Sequence, residues 1–182
     1  MKTNALHQSK FVFTGSVGAG KTTAIATISE VTPITTEVKP SEESIMKHKN
    51  TTTVAMDYGE LTLDYDHKLY LYGTPGQRRF DFMSQILTEG ALGLVILINN
   101  AHETPMSELD YYLNLNAKFL TSYAAVIGIT HYDETDKPSV ADYYAVLKER
   151  GEHWPVIHAD ARKIEDVTRL LTILLATIEY AV

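Results

Sequence analysis

The chain has 182 residues, a hydrophobic fraction of 45%, a charged fraction of 21% and a formal net charge of −7. That balance is typical of a globular protein, and the length predicts a single domain over residues 1–182. The acidic charge argues against general binding to nucleic acid, and the lack of cysteine excludes disulfides and thiolate metal sites. No apolar run approaches the about 20 residues that a membrane span requires, so we expect a soluble cytoplasmic protein.

The first predicted elements are a short strand, Phe11–Thr14, a glycine-rich loop and a helix, Lys21–Glu30. The loop follows the pattern Gly-x-x-x-x-Gly-Lys-Thr, in the strand–loop–helix context that this pattern requires. Its backbone N–H groups and the helix N-terminus can hold phosphates, Lys21 can reach the β- and γ-phosphates, and the Thr22 hydroxyl suits Mg²⁺. We therefore predict that a nucleoside triphosphate with Mg²⁺ binds at Gly15, Ser16, Val17, Gly18, Ala19, Gly20, Lys21, Thr22 and Thr23.

The segment after the first helix, residues 31–52, shows no periodicity. A stretch of this kind in a small domain is usually functional or disordered. Three β-rich runs follow it, Thr53–Tyr58, Leu61–Tyr65 and Leu69–Tyr72. The last two predict a hairpin with its tip at Asp66-His67, so we expect one antiparallel edge pair.

The rest of the chain alternates strands with helices. Predicted strands cover Leu92–Asn99, Ala124–Thr130 and Val156–His158, and predicted helices cover Ser107–Leu120, Ser139–Arg150 and a last amphipathic segment from Ile164 to Ile178. This alternation predicts an α/β fold in three layers, with a mostly parallel sheet of six to seven strands and helices on both faces.

Four segments resemble the motifs of Ras-like small GTPases, a branch of the P-loop NTPases. Gly73–Phe80 is similar to the second switch of that family, and Thr53–Tyr58 is similar to the end of its first switch. Thr130–Asp133 stands where the family carries Asn-Lys-x-Asp, and Asp160–Arg162 stands where it carries Ser-Ala-Lys. The strings at 54–59, 74–77 and 128–133 look most like the bacterial branch, which includes the gliding-motility GTPases and the "ATP/GTP-binding proteins" encoded beside roadblock-type proteins.

The resemblance implies a switch that hydrolyses GTP to GDP and acts on regulator and effector proteins, roadblock-domain proteins among them. Hydrolysis of this kind needs a positioned water and stabilised charge around the γ-phosphate. Gln77 is suited to orient the water, the Gly76 N–H is placed to sense the γ-phosphate, and Lys21 contacts it.

The metal is expected to take two hydroxyl ligands, one from Thr22 and one from the first switch. Thr53 is the preferred second ligand, and Thr51 and Thr52 remain alternatives. Residues 31–52 then become the first switch, a loop that the γ-phosphate orders.

The base site is expected around Thr130, His131, Asp133, Ala161 and Arg162. The Asp133 carboxylate can accept hydrogen bonds from guanine N1–H and the exocyclic amine, which adenine does not offer, so guanine is favoured over adenine. Ala161 N–H is a candidate donor to guanine O6, and Arg162 a candidate cover for the base. His131 either stacks on the base or only ends a strand.

Some positions depart from the family pattern. Gly73 replaces an aspartate that supports Mg²⁺, so water, another acid (Asp57 is the nearest candidate) or weaker metal binding takes its place. Val17 replaces a glycine and narrows the space for a partner's arginine. Arg78 and Arg79 either stabilise charge in cis or pair with a partner or an acidic neighbour, and the second interpretation is preferred.

Two alternatives to a hydrolysing switch are open. Gly73 and Val17 are compatible with a pseudo-GTPase, an interaction module that binds nucleotide with little turnover, whereas Gln77 favours hydrolysis. A small-molecule kinase would carry an arginine-rich lid after the third helix, and residues 100–123 contain no arginine.

Overall fold

A computed structural model describes residues 8–35, 56–64, 67–133 and 138–180. In these ranges the strands are β1 (Gln8–Thr14), β2 (Ile34–Thr35), β3 (Asp57–Asp64), β4 (His67–Gly73), β5 (Gly93–Asn99), β6 (Ala124–Thr130) and β7 (Val156–His158). The helices are α1 (Lys21–Ile28), α2 (Phe82–Thr88), α3 (Pro105–Leu115), α4 (Ala117–Leu120), α5 (Val140–Arg150) and α6 (Ile164–Tyr180), with a 3-10 turn at Arg78–Phe80.

The strands form one sheet in the order β2-β3-β4-β1-β5-β6-β7. β4, β1, β5, β6 and β7 are mutually parallel, whereas β3 runs antiparallel to both β2 and β4. The predicted α/β class, with a mostly parallel sheet and an antiparallel edge, is therefore confirmed. The two-residue strand β2 adds a second antiparallel pairing, in a segment where the sequence indicated no regular structure.

Two hydrophobic cores cover the two faces of the sheet, because alternate residues of each strand point to opposite sides. Phe11 and Phe13 of β1 pack with residues of α1 and α6, while Val12 packs on the opposite face with residues of α2, α3 and α5. Every residue of β6 is buried, as expected for a central parallel strand. No helix in the described ranges is long and apolar enough to cross a membrane.

Several predicted boundaries were wrong. The separate runs Thr53–Tyr58 and Leu61–Tyr65 belong to one strand as far as they are described, because β3 is continuous from Asp57 to Asp64. His67, which was predicted to lie at the hairpin tip, instead begins β4 and pairs with Asp64, and Asp66 lies outside the described residues.

The predicted helix Ser107–Leu120 is two helices, because Asn116 interrupts it. The Asn116 side chain donates to the carbonyl oxygen of Tyr112 and accepts from the Ser84 hydroxyl, which fixes the break in the buried interior. Helix α1 ends at Ile28, two residues before the predicted end, and α2 was not predicted. The start of α5 carries a capping box formed by Ser139 and Asp142, and Gly151 ends the helix in a left-handed conformation.

Candidate nucleotide-binding site

The phosphate loop joins β1 to α1 at the carboxyl edge of the parallel strands, where ligands bind in open α/β sheets. Gly15 has φ 143°, and a Cβ there would lie 2.2 Å from the carbonyl oxygen of Leu97. Gly20 has φ 94°, and a Cβ there would lie 3.0 Å from the Cβ of Ala161. Glycine is therefore required at both positions, and the loop can turn closely around a ligand of the size of a phosphate.

Lys21 begins α1 and points back into the loop. Its ammonium donates to the carbonyl oxygens of Gly15 and Ser16, at 2.7 Å each. The residue is only 7% exposed. Burial lowers the pKa of Lys21 to about 8, against the opposing influence of the Asp57 and Glu108 carboxylates. The charged form of Lys21 is therefore less stable here than in water, and phosphate oxygens bound at the loop would stabilise it.

Thr22 and Thr23 occupy the first turn of α1, and both are exposed on the ligand side. The Thr22 hydroxyl donates to Oδ2 of Asp57 at 2.6 Å. A threonine oxygen held beside a carboxylate and an N–H-rich loop is a donor set that fits Mg²⁺ bound to a triphosphate. Thr53, with its alternatives Thr51 and Thr52, lies outside the described residues.

The segment after β4 rests directly on the phosphate loop. Thr74 is buried, and its backbone N–H donates to the carbonyl oxygen of Phe13 at 2.9 Å. A Cβ on Gly76 would lie 2.5 Å from the backbone nitrogen of Val17. Gln77 follows with an exposed side chain, and the Val17 side chain in the loop is 67% exposed.

Arg78 contacts two residues of α3. Its guanidinium stacks over the Tyr111 ring at 4.2 Å from the centroid and lies 3.5 Å from the Glu108 carboxylate. Arg79 lies over the Phe80 ring. Arg78 thus contacts an acidic neighbour, Glu108, which is one form of the interpretation that the sequence favours.

Beside the loop lies a cavity of about 400 Å³, formed by the ends of β6 and β7 and the start of α1. Seven of the residues predicted to hold nucleotide line it: Gly20, Thr23, Thr130, His131, Asp133, Ala161 and Arg162. They come from three separated parts of the chain, so the fold brings the predicted base site together next to the predicted phosphate site.

Thr130 and His131 brace the phosphate loop from the cavity side. The Thr130 hydroxyl is buried and lies within hydrogen-bonding distance of the carbonyl oxygens of Ala19 (3.1 Å) and Ile98 (3.2 Å). His131 has φ 55°, and its Nε2 lies 3.1 Å from the carbonyl oxygen of Gly18. The His131 ring thus lies between the phosphate loop and the cavity. His131 therefore does more than end a strand.

Sequence reasoning assigned no role to several residues of the cavity. Tyr132 stacks on His158 with ring centroids 3.6 Å apart, and burial lowers the pKa of His158 against the opposing charge of Asp133. Asp160 accepts from Nε and Nη2 of Arg162 at 2.8 Å each. These hydrogen bonds hold the pKa of Asp160 well below its usual range, and they fix the plane of the Arg162 guanidinium at the cavity mouth.

Glu108 is the other residue that the sequence did not indicate. It lies in the first turn of α3, is 8% exposed and acts on the charges of both Lys21 and Arg78. Periodicity offers no sign of such a residue, since a glutamate at that helix position is normally a solvated one.

The fold and the phosphate loop define a nucleotide-binding protein of the P-loop NTPase-like class. More particularly, the chain belongs to the family described as conserved hypothetical ATP binding protein, whose model matches residues 34–180. The chain is also 28% identical over 134 residues to the uncharacterized protein MJ1339 of Methanocaldococcus jannaschii. The aligned region covers 74% of this chain and 78% of that protein. The family match begins after the phosphate loop, so the two are separate indications of nucleotide binding.

Proposed function

We propose that this protein is a Mg²⁺-dependent switch that binds GTP and hydrolyses it to GDP and phosphate. The observation that carries the proposal is the contact of Gly76 with the phosphate loop, where an added Cβ would lie 2.5 Å from the Val17 nitrogen. A segment so close to the loop is placed to respond to the presence or loss of a γ-phosphate. Segments that a γ-phosphate orders and hydrolysis releases are the basis of nucleotide switches.

Three groups of the chain would carry the reaction. The Lys21 ammonium, already buried at the loop, would stabilise negative charge on the phosphate oxygens. The Gly76 N–H would bind the γ-phosphate, and the exposed Gln77 side chain would orient the attacking water. Mg²⁺, held by Thr22 and, in this proposal, by Thr53, would neutralise part of the phosphate charge when bound.

Guanine is the base that we propose for the cavity, although the family description names ATP. Asp133 and Ala161 both line the cavity. In this proposal the Asp133 carboxylate accepts hydrogen bonds from the base, and the Ala161 N–H donates one. Guanine offers two donors to the first group and an acceptor, O6, to the second. Adenine presents an amine where O6 would be and an unprotonated N1, so it leaves the carboxylate unpaired.

The output of such a switch is a conformation that other proteins read. We propose regulator and effector proteins as partners, with roadblock-domain proteins among them, on the basis of the resemblance to the bacterial small GTPases. Most of the proposed first switch, residues 31–52, lies outside the described residues.

A second candidate function is a nucleotide-binding module with little or no hydrolysis. It is favoured by the conformation of Arg78, whose guanidinium is engaged by Tyr111 and Glu108, and by the exposed Val17 side chain in the phosphate loop.

A single-turnover assay with γ-labelled GTP and Mg²⁺ distinguishes the two candidates. The switch releases labelled phosphate, and Gln77→Ala slows the release roughly 100-fold at unchanged GTP affinity, because the water loses its orientation. Bound GTP with equal, negligible release from both proteins would contradict hydrolysis and favour the binding module.

Competition binding tests the choice of base. Displacement of a fluorescent GDP by GTP at concentrations at which ATP has no effect is the expected result. Tighter binding of ATP would overturn the assignment of guanine and would leave the phosphate-loop assignments intact.

A further inference from the structure

A side-chain hydrogen bond ties α1 to the loop between β7 and α6. The Thr27 hydroxyl donates to the carbonyl oxygen of Ala161 at 2.7 Å, although the two residues lie 134 positions apart in the chain. A threonine inside a helix commonly donates to the carbonyl group one turn back. The hydroxyls of three other helical threonines do so, those of Thr88, Thr172 and Thr177. Thr27 has one proton to donate and donates it to another element, so this contact fixes Ala161 relative to α1.

The loop that contains Ala161 has one backbone donor without a partner. The N–H groups of its neighbours Asp160 and Arg162 donate to Asp166 Oδ2 at 2.9 Å and to Asp160 Oδ1 at 3.0 Å. The Lys163 N–H donates to the carbonyl oxygen of Asp160 at 2.9 Å. The Ala161 N–H has no acceptor in the part of the chain that the structure describes. Ala161 is 8% exposed and lines the cavity, so a ligand bound there is the natural acceptor.

Thr27 restrains the peptide group directly after this donor. That group consists of the Ala161 carbonyl, which accepts from Thr27, and the Arg162 N–H, which donates to Asp160. Because a peptide group is planar, hydrogen bonds at both of its ends fix its orientation. The Cβ of Ala161 also lies against the phosphate loop, where a Cβ added to Gly20 would approach it to 3.0 Å. The Ala161 N–H therefore has little freedom to turn.

We propose that Thr27 is a positioning residue for base recognition, which directs the Ala161 N–H towards the substituent on C6 of a purine and so makes the cavity selective for 6-oxopurines. The inference rests on the proposed binding of guanine nucleotides. Thr27 is not one of the described residues that line the cavity, so it acts through Ala161 and not by touching the base. A 6-amino group would face the fixed N–H with a second donor, and both donors would stay unpaired.

The test compares nucleoside diphosphates that differ from GDP in one substituent of the base. 6-Thioguanosine diphosphate keeps N1–H and the amine but carries sulfur, a larger and weaker acceptor, in place of O6. Inosine diphosphate keeps O6 and lacks the amine. The affinity of each is measured by displacement of a fluorescent GDP from the wild type, Thr27→Val and Thr27→Ser.

The expected result is a change in one preference only. The wild type should prefer GDP to 6-thioguanosine diphosphate by about 3- to 10-fold, the value of one neutral hydrogen bond. Thr27→Val has the same shape without the donor, so it should lose most of this preference and keep the wild-type preference for GDP over inosine diphosphate. Thr27→Ser keeps the hydroxyl and should discriminate as the wild type does.

Thr177→Val is the matched control. Thr177 is also a half-buried helical threonine, but its hydroxyl donates to the carbonyl oxygen of Ile173 within α6. Both preferences should therefore stay at their wild-type values. If thermal melting shows that Thr27→Val does not fold, Thr27→Ala, which also lacks the donor, is measured in its place.

The outcomes separate this inference from the proposed function. A merely structural role of Thr27 would weaken all three diphosphates by the same factor in Thr27→Val. That result, or equal wild-type affinity for GDP and 6-thioguanosine diphosphate, would overturn the role of Thr27 and leave guanine binding intact. Tighter binding of ADP than of GDP by the wild type would refute the guanine assignment and this inference together.

Discussion

The ammonium of Lys21 is removed from water and donates hydrogen bonds to the carbonyl oxygens of Gly15 and Ser16 instead. Carbonyl groups compensate a buried charge only partly, so desolvation lowers the pKa of Lys21 to about 8. Phosphate oxygens placed beside it would raise that pKa again. Binding of a triphosphate should therefore take up a proton whenever the free lysine is partly neutral.

This linkage predicts how nucleotide affinity changes with pH. Below pH 8 the lysine is already charged and little proton uptake occurs; as the pH rises through 8, uptake grows and the affinity falls. Titration calorimetry at pH 6.5 and 8.5, in buffers of different ionisation enthalpy, measures the uptake directly. Lys21→Arg, whose guanidinium stays charged throughout, is the control, and equal uptake at both pH values in the wild type would contradict the prediction.

Asp133 gives a second prediction at this scale, because asparagine exchanges one acceptor for a donor. Asp133→Asn should weaken GTP binding by roughly 100-fold or more, since hydrogen bonds to a charged group contribute about 1.5–3 kcal/mol each. Xanthosine triphosphate, with a carbonyl in place of the guanine amine, should instead gain affinity. Competition binding with both nucleotides is the measurement, and an unchanged GTP-to-XTP ratio would show that Asp133 does not contact the base.

The turn that follows β4 can lie against the phosphate loop because Gly76 has no side chain. Gly76→Ala would bring a Cβ against the backbone of Ser16 and Val17, which cannot move aside as a flexible side chain can. We expect GDP binding to persist and GTP hydrolysis to fall roughly 100-fold, because the Gln77 segment is displaced. Gly90→Ala is the control: its φ of 71° strains the alanine, but the added Cβ meets nothing within 4 Å, so hydrolysis should stay near the wild-type rate.

The strands and the phosphate loop could be predicted because their information is local. Periodicity places β5, β6 and β7 almost to the residue, and the glycine–lysine–threonine pattern places the loop. Local patterns failed at Gly59, which reads as a turn between two strands. Gly59 instead lies inside β3. A glycine is needed there because α1 packs closely against the strand, and a Cβ would lie 2.7 Å from Cγ2 of Ile25.

The parts of the site that escaped prediction are long-range contacts. Thr22 reaches Asp57, Tyr132 stacks on His158, and Glu108 approaches Lys21, each across a large separation in the chain. No spacing rule connects such pairs, since the sheet order decides which strand ends adjoin. Asp57 could be named from the sequence as a candidate acid, but its distance to Thr22 comes from the pairing of β3 with β4.

For the whole molecule, nucleotide binding should be visible as stability. A ligand at about 100 times its dissociation constant adds about 2.7 kcal/mol to the free energy of unfolding, which for a protein of this size raises Tm by about 5 to 10 °C. Thermal melting with GDP and Mg²⁺ is the measurement. Lys21→Ala should melt near the wild-type temperature without ligand and show no such rise, and an equal rise in both proteins would place the nucleotide elsewhere.

The Thr130 hydroxyl bonds to the carbonyl oxygens of Ala19 and Ile98, and so connects the two halves of the site, the cavity for the base and the loop for the phosphates. The half that would receive the base cannot shift without moving the half that would receive the phosphates. A free nucleoside or a free pyrophosphate reaches only one half and loses its own freedom of motion separately. A nucleotide loses that freedom once for both halves, so it binds more tightly than the sum of its fragments.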